Sequence, residues 1–203
     1  MKSKSLLISS PIVAVALMLA ANATAIPIEY VADLSGPKES PPNASPGTGF
    51  ADVTFDLDAH TMRVQITFSG LVGTTTASHI HSPTAVPFTG TASVATQVPT
   101  FANFPLGVHA GTYDMTFDTS LDSTYNPAFV TANGGSVATA EAALAASLAA
   151  GTSYLNIHTT EFPGGEIRGF LHVPEASPTL VCLVMGLIGL EMFRRKFGTQ
   201  LNA

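Results

Sequence analysis

The stretch from Ala51 to Phe68 constrains the fold more than any other part of the chain. Ala51, Val53, Phe55 and Leu57 alternate with Asp52, Thr54, Asp56 and Asp58. After Asp58-Ala59-His60, Met62, Val64, Ile66 and Phe68 alternate with Arg63, Gln65 and Thr67. A helix would scatter these apolar residues around its axis, whereas a strand lines them up on one face. Two such strands around a short turn predict an antiparallel hairpin with one buried face. The rest of the domain must cover that face.

Other parts of the chain read as more short strands. Ile28 to Leu34, Ala77 to His81 and Thr112 to Asp118 are candidates, with a weaker one near Ser93 to Gln97. Residues 119–137 read as a loop or extra hairpin turning at Asn133-Gly134-Gly135. Thr139 to Ala149 is Ala/Leu-rich and predicts a helix, with Thr139 as N-cap and Gly151 as the stop. Leu155 and Ile157, then Ile167 and Leu171, predict a closing hairpin. The expected fold is mainly β: a single antiparallel β-sandwich with one short helix.

The two ends carry a different pattern. Lys2 and Lys4 precede an apolar run from Leu6 to Ala20, and Ala23-Thr24-Ala25 comes after it. That is a signal peptide over residues 1–25, with Ala23 and Ala25 in the pockets of signal peptidase. At the other end, Val173-Pro174-Glu175-Ala176-Ser177-Pro178 leads into an apolar segment, Leu180 to Leu190, and then Arg194-Arg195-Lys196. A short transmembrane helix over about 179–193 is expected, its basic end held in the cytoplasm. Residues 174–198 resemble the PEP-CTERM sorting signal of exopolysaccharide-producing Gram-negative bacteria, with Val173, Pro174 and Glu175 as its motif. The resemblance implies an exosortase-type membrane protease as partner. It also implies transient inner-membrane anchoring, with a destination in the periplasm, the cell surface or the extracellular matrix.

Between the ends lies one domain, residues 26–173. Its three Lys or Arg (Lys38, Arg63 and Arg168) stand against twelve Asp or Glu, a formal charge of −9. Phosphates require a basic face, so nucleic acid is not an expected partner. The one cysteine, Cys182, belongs to the tail, so no disulfide supports the domain.

The histidines carry the candidate chemistry. On a strand, His79 and His81 share one face while Ile80 takes the other. With Ile80, Leu155 and Ile157 in the core, both histidines and His158 face outward. A register pairing Ile157 with Ile167 puts His158 opposite Glu166 and Asn156 opposite Arg168. Two readings stand side by side. His79, His81 and His158 form a solvent-open copper or zinc site, releasing metal as pH falls through about 6.5. Alternatively, the imidazoles bond neighbouring loops and Glu166, with Asn156, Glu166 and Arg168 fixing the hairpin. His109 is a candidate fourth ligand; His60 reads as a turn residue and His172 as a strand end. Glu161 and Glu166 do not make a glycosidase site without a sugar cleft. No phosphate loop, nucleophile elbow or zinc-protease helix is present, so no catalytic residue is assigned.

Three segments together resemble the CHRD domain, the module named after chordin. They are Leu34-Ser35-Gly36 with Glu39-Ser40-Pro41-Pro42; Ala77 to Pro83; and Tyr154 to Thr159 leading to Pro163-Gly164-Gly165-Glu166-Ile167-Arg168-Gly169. Residues 84–137 fit poorly and read as a local elaboration. The resemblance implies an extracytoplasmic β-sandwich without an established enzyme activity. The expectation is therefore a non-enzymatic exported module, with a matrix polysaccharide or protein as a candidate partner. The rival is a copper- or zinc-binding periplasmic protein, or a superoxide-dismutase-like metalloenzyme, using His79, His81 and His158.

Overall fold

The computed structural model describes residues 27–175. The expected signal peptide with Ala23 and Ala25, and the tail from Ala176 with its apolar helix and Arg194, Arg195 and Lys196, lie outside the described residues. Val173, Pro174 and Glu175 are exposed and belong to no helix or strand. No helix among the described residues is long and apolar enough to cross a membrane.

Seven strands form the body: β1 (Ile28–Ser35), β2 (Thr48–Asp56), β3 (Thr61–Ser69), β4 (Thr75–His81), β5 (Gly111–Asp118), β6 (Tyr154–Thr159) and β7 (Ile167–Phe170). All pair antiparallel in one sheet of order β4-β6-β7-β1-β2-β3-β5. The mainly β expectation holds, but the two-sheet sandwich is corrected to one curled sheet. The physical reason is a seam. β7 meets β1 through the Ser35–Arg168 pair, and His172 exchanges backbone hydrogen bonds with Val31 at 2.8 and 3.1 Å. Those bonds join what would otherwise be two separate sheets.

The β2–β3 hairpin forms as the alternation predicts, with Val53 opposite Val64 and Phe55 opposite Met62. Ala51, Val53, Phe55, Met62, Val64, Ile66 and Phe68 are all buried. Leu57 departs from the pattern and is exposed, because β2 stops at Asp56. There the Asp56 carboxylate accepts from the N–H groups of Asp58 and Ala59 and closes the turn.

Ile80, Leu155 and Ile157 enter the same core from the other end of the sheet. Phe101 and Phe104 of the long β4–β5 connection also enter it, so residues 84–110 are core-forming as well as decorative. Residues 119–137 are not a hairpin. They contain α1 (Pro127–Ala132), capped by Asn126 with Pro at its start. The main helix α2 (Val137–Ala149) begins two residues before the expected Thr139. Ser136 is its N-cap and accepts from the Thr139 N–H, so two helices stand where one was expected. Ala140, Leu144 and Leu148 dock α2 on the core. Each fully buried Leu there contributes about 1.5–3 kcal/mol.

Candidate metal centre

β4 and β6 pair with His79 opposite Asn156, His81 opposite Tyr154 and Ala77 opposite His158. Directly opposed residues share a face, so this register places all three imidazoles on the side away from Ile80. The outward assignment is right, but exposure is not its consequence. His79 and His81 are only 6% and 8% exposed, because the β4–β5 connection folds back over them. The solvent-open site is thereby corrected to a covered one.

The same connection orients the rings. His79 Nε2 lies 2.6 Å from the carbonyl of Pro99 and His81 Nδ1 lies 2.9 Å from that of Ala92. His158 Nδ1 lies 2.9 Å from the carbonyl of Pro163, in the β6–β7 turn. A carbonyl only accepts, so each of these nitrogens donates. In a neutral ring the opposite nitrogen then carries a lone pair. Those nitrogens are His79 Nδ1, His81 Nε2 and His158 Nε2. All three are buried without a hydrogen-bond partner from the protein. The three side chains each bring a ligand atom to within 4.8 Å of the others. Their ring centroids are 5.3–5.8 Å apart.

Burial disfavours the charged form of all three rings. Burial pulls His81 down to about 4, assisted by the neighbouring His158, His79 and Arg168. Burial likewise lowers His79 and His158. A lone pair left buried and unpaired costs about 1–3 kcal/mol, and three converge here. A metal ion satisfies such a cluster, and N–H donation to backbone carbonyls is the usual second layer around metal-bound histidine.

The surroundings are aromatic and cationic. Tyr154 stacks on His81 at 4.8 Å, and the Arg168 guanidinium lies 4.7 Å above the Tyr154 ring. Arg168 is buried. It donates from Nε to the Lys38 carbonyl and from Nη1 to the Gly90 carbonyl, with Glu39 at 3.8 Å. Burial pushes the Glu39 carboxyl up to about 7, against the pull of Arg168.

The expected register of Asn156 against Arg168 and Ile157 against Ile167 is present. Glu166, however, does not bond His158 or share its face. Glu166 lies just before β7, which begins at Ile167, and the strand alternation does not extend to it. Glu166 turns inward, fully buried, and accepts from Ser45 Oγ, Val72 N, Gly73 N and Thr159 Oγ1. It is a structural hub away from the histidines. His109 points elsewhere too, with Nδ1 at 3.0 Å from the Leu71 carbonyl. His60 sits in its turn at φ 52° and reaches buried Glu141 on α2, while His172 is exposed at a strand end. The carbonyls of Ala92, Pro99 and Pro163 and the burial of Glu39 were not legible in the sequence, since every residue carries a carbonyl.

Residues 30–171 match the family described as CHRD domain. No curated protein and no solved structure matches the chain.

Proposed function

The chain belongs to the CHRD family, and from that premise we propose that it is an exported, non-enzymatic module holding one copper or zinc ion at His79, His81 and His158. One observation carries this reading: three buried, partnerless ring nitrogens converge, each fixed by a carbonyl on its opposite nitrogen. Calcium and magnesium take oxygen ligands, whereas neutral imidazole suits copper and zinc. Copper(II) is the tighter of the two by the general affinity order. The ion would staple β4 to β6 and, through the carbonyls, clamp the loops that cover them.

Export follows from the N-terminal pattern and signal peptidase. The exposed, irregular residues Val173, Pro174 and Glu175 support cleavage by an exosortase-type protease near that motif. The product would reside in the cell envelope or matrix. A second reading, a superoxide-dismutase-like metalloenzyme, draws on the same site. Three protein ligands leave a coordination position for a small molecule.

Metal analysis of the mature protein after loading tests the proposal. One equivalent of copper or zinc is expected, and His158→Ala should lose it while circular dichroism stays unchanged. Wild-type affinity weaker than about millimolar would end the metal reading. Superoxide turnover by the copper-loaded protein separates the second reading from the first.

A further inference from the structure

Among the described residues the Lys and Arg side chains are Lys38, Arg63 and Arg168. Arg63 is taken by a two-point ion pair with Asp114, at 2.9 and 2.6 Å. The other two line one cleft of about 410 Å³, together with Asp33, Phe88, Thr89 and Phe170. In a domain this acidic, both remaining cations therefore face one space.

Each is oriented in advance. Lys38 Nζ donates to the Asp33 carbonyl at 2.7 Å, which uses one of its protons. Arg168 is buried, fixed by its bonds to the Lys38 and Gly90 carbonyls and by stacking on Tyr154, and has the Glu39 carboxyl at 3.8 Å, beyond hydrogen-bond distance. Its remaining N–H groups are thus set in direction.

Phe88 is the unusual member. Its backbone lies at φ 59°, in the left-handed region that a bulky residue rarely adopts. A hydrogen bond from its N–H to the Gly151 carbonyl at 2.8 Å holds it there. The residue nonetheless remains 59% exposed, so burial of the ring offsets little of the strain. The ring meets Phe170 edge-on at 6.2 Å.

We propose that this cleft binds a sugar acid, a pyranose ring bearing a carboxylate, free or within a glycan chain. The carboxylate pairs with Lys38 and Arg168, where charge-assisted bonds are strong. The C–H face of the ring lies on Phe88. Ring hydroxyls bond Asp33 and Thr89, partners that an aromatic acid would leave unused and that a neutral sugar could use only without the charge pairing. None of this depends on the metal centre.

Isothermal titration of the mature protein with trigalacturonate, and with maltotriose as the neutral counterpart, tests it. Trigalacturonate should bind saturably, and more weakly at high salt. Lys38→Gln and Phe88→Ala should each weaken binding by about 10-fold or more. Both positions are exposed, and a thermal melt verifies folding. Arg63→Gln removes the same charge elsewhere and should leave binding unchanged. Three results would each overturn the proposal: no saturable binding by the wild type, equal binding of maltotriose, or an equal loss in Arg63→Gln.

Discussion

Glu166→Gln is the perturbation that most directly tests how this domain is held together. The wild-type carboxylate is fully buried, and no Lys or Arg of the described residues pairs with it. Oε1 accepts from Ser45 Oγ at 2.5 Å and Val72 N at 2.6 Å; Oε2 accepts from Thr159 Oγ1 at 2.7 Å and Gly73 N at 3.1 Å. A glutamine presents one carbonyl and one NH₂ group. Whichever way it sits, one backbone N–H, of Val72 or Gly73, faces the NH₂ group and loses its acceptor. That costs about 1–3 kcal/mol, and the surviving bonds fall from charge-assisted to neutral strength. Relief of carboxylate burial offsets part of this, leaving a net loss of about 2–4 kcal/mol at neutral pH.

The pH dependence provides a second check. Burial pushes the Glu166 carboxyl up, but its four hydrogen bonds outweigh that and hold it below the usual value. A folded pKa below the unfolded value of about 4.3 gives stability that is complete above that pH. It is lost as pH falls through the folded pKa. The deficit of the variant should therefore shrink in acid. Urea melts followed by tyrosine fluorescence measure this, since the chain has no Trp and all four tyrosines are buried. A neutral-pH loss under about 1 kcal/mol, or a deficit that does not change with pH, would refute the reasoning.

Copper retention in acid should exceed that of an exposed site. Three histidines of ordinary pKa would weaken binding about 1000-fold at pH 5.5, whereas burial, which lowers all three, should make the loss distinctly smaller in a pH-stepped titration. Phe55→Ala should cost about 3–5 kcal/mol in urea melts, as for a buried aromatic. Asp56→Ala, which removes the acceptor closing the β2–β3 turn, should cost about 1 kcal/mol by the same assay. Gly165→Ala should lose about 3 kcal/mol or more, since its Cβ would lie 2.5–2.7 Å from the Asn156 amide and Glu39 Oε1 at a φ of 131°; a melt within about 0.5 kcal/mol of wild type would contradict it. Replacing Arg194, Arg195 and Lys196 with Gln should disturb sorting, read as altered fractionation between envelope and medium.

Side-chain alternation is local information, and it determined what local information can. It assigned the buried faces of β2 and β3, put Ile80, Leu155 and Ile157 in the core, and set Asn156 against Arg168. It also named the three histidines that converge, because His-x-His on one strand and a third histidine on its neighbour already share a face. Family membership was legible from short motifs spread over the domain.

Tertiary structure decided the rest. One seam between β1 and β7 makes a single sheet of what the strand pattern reads as two, and no side-chain pattern encodes which edges meet. Glu166 precedes the first residue of β7 and turns inward to Thr159, so parity counting fails at that residue. Whether the histidine face meets water or protein depends on carbonyls 11 and 20 residues away, from Ala92 and Pro99. A strand's period specifies which way a side chain points; only the path of the distant chain determines what it meets, and so whether an imidazole is wet and titratable or dry, neutral and ready for a metal.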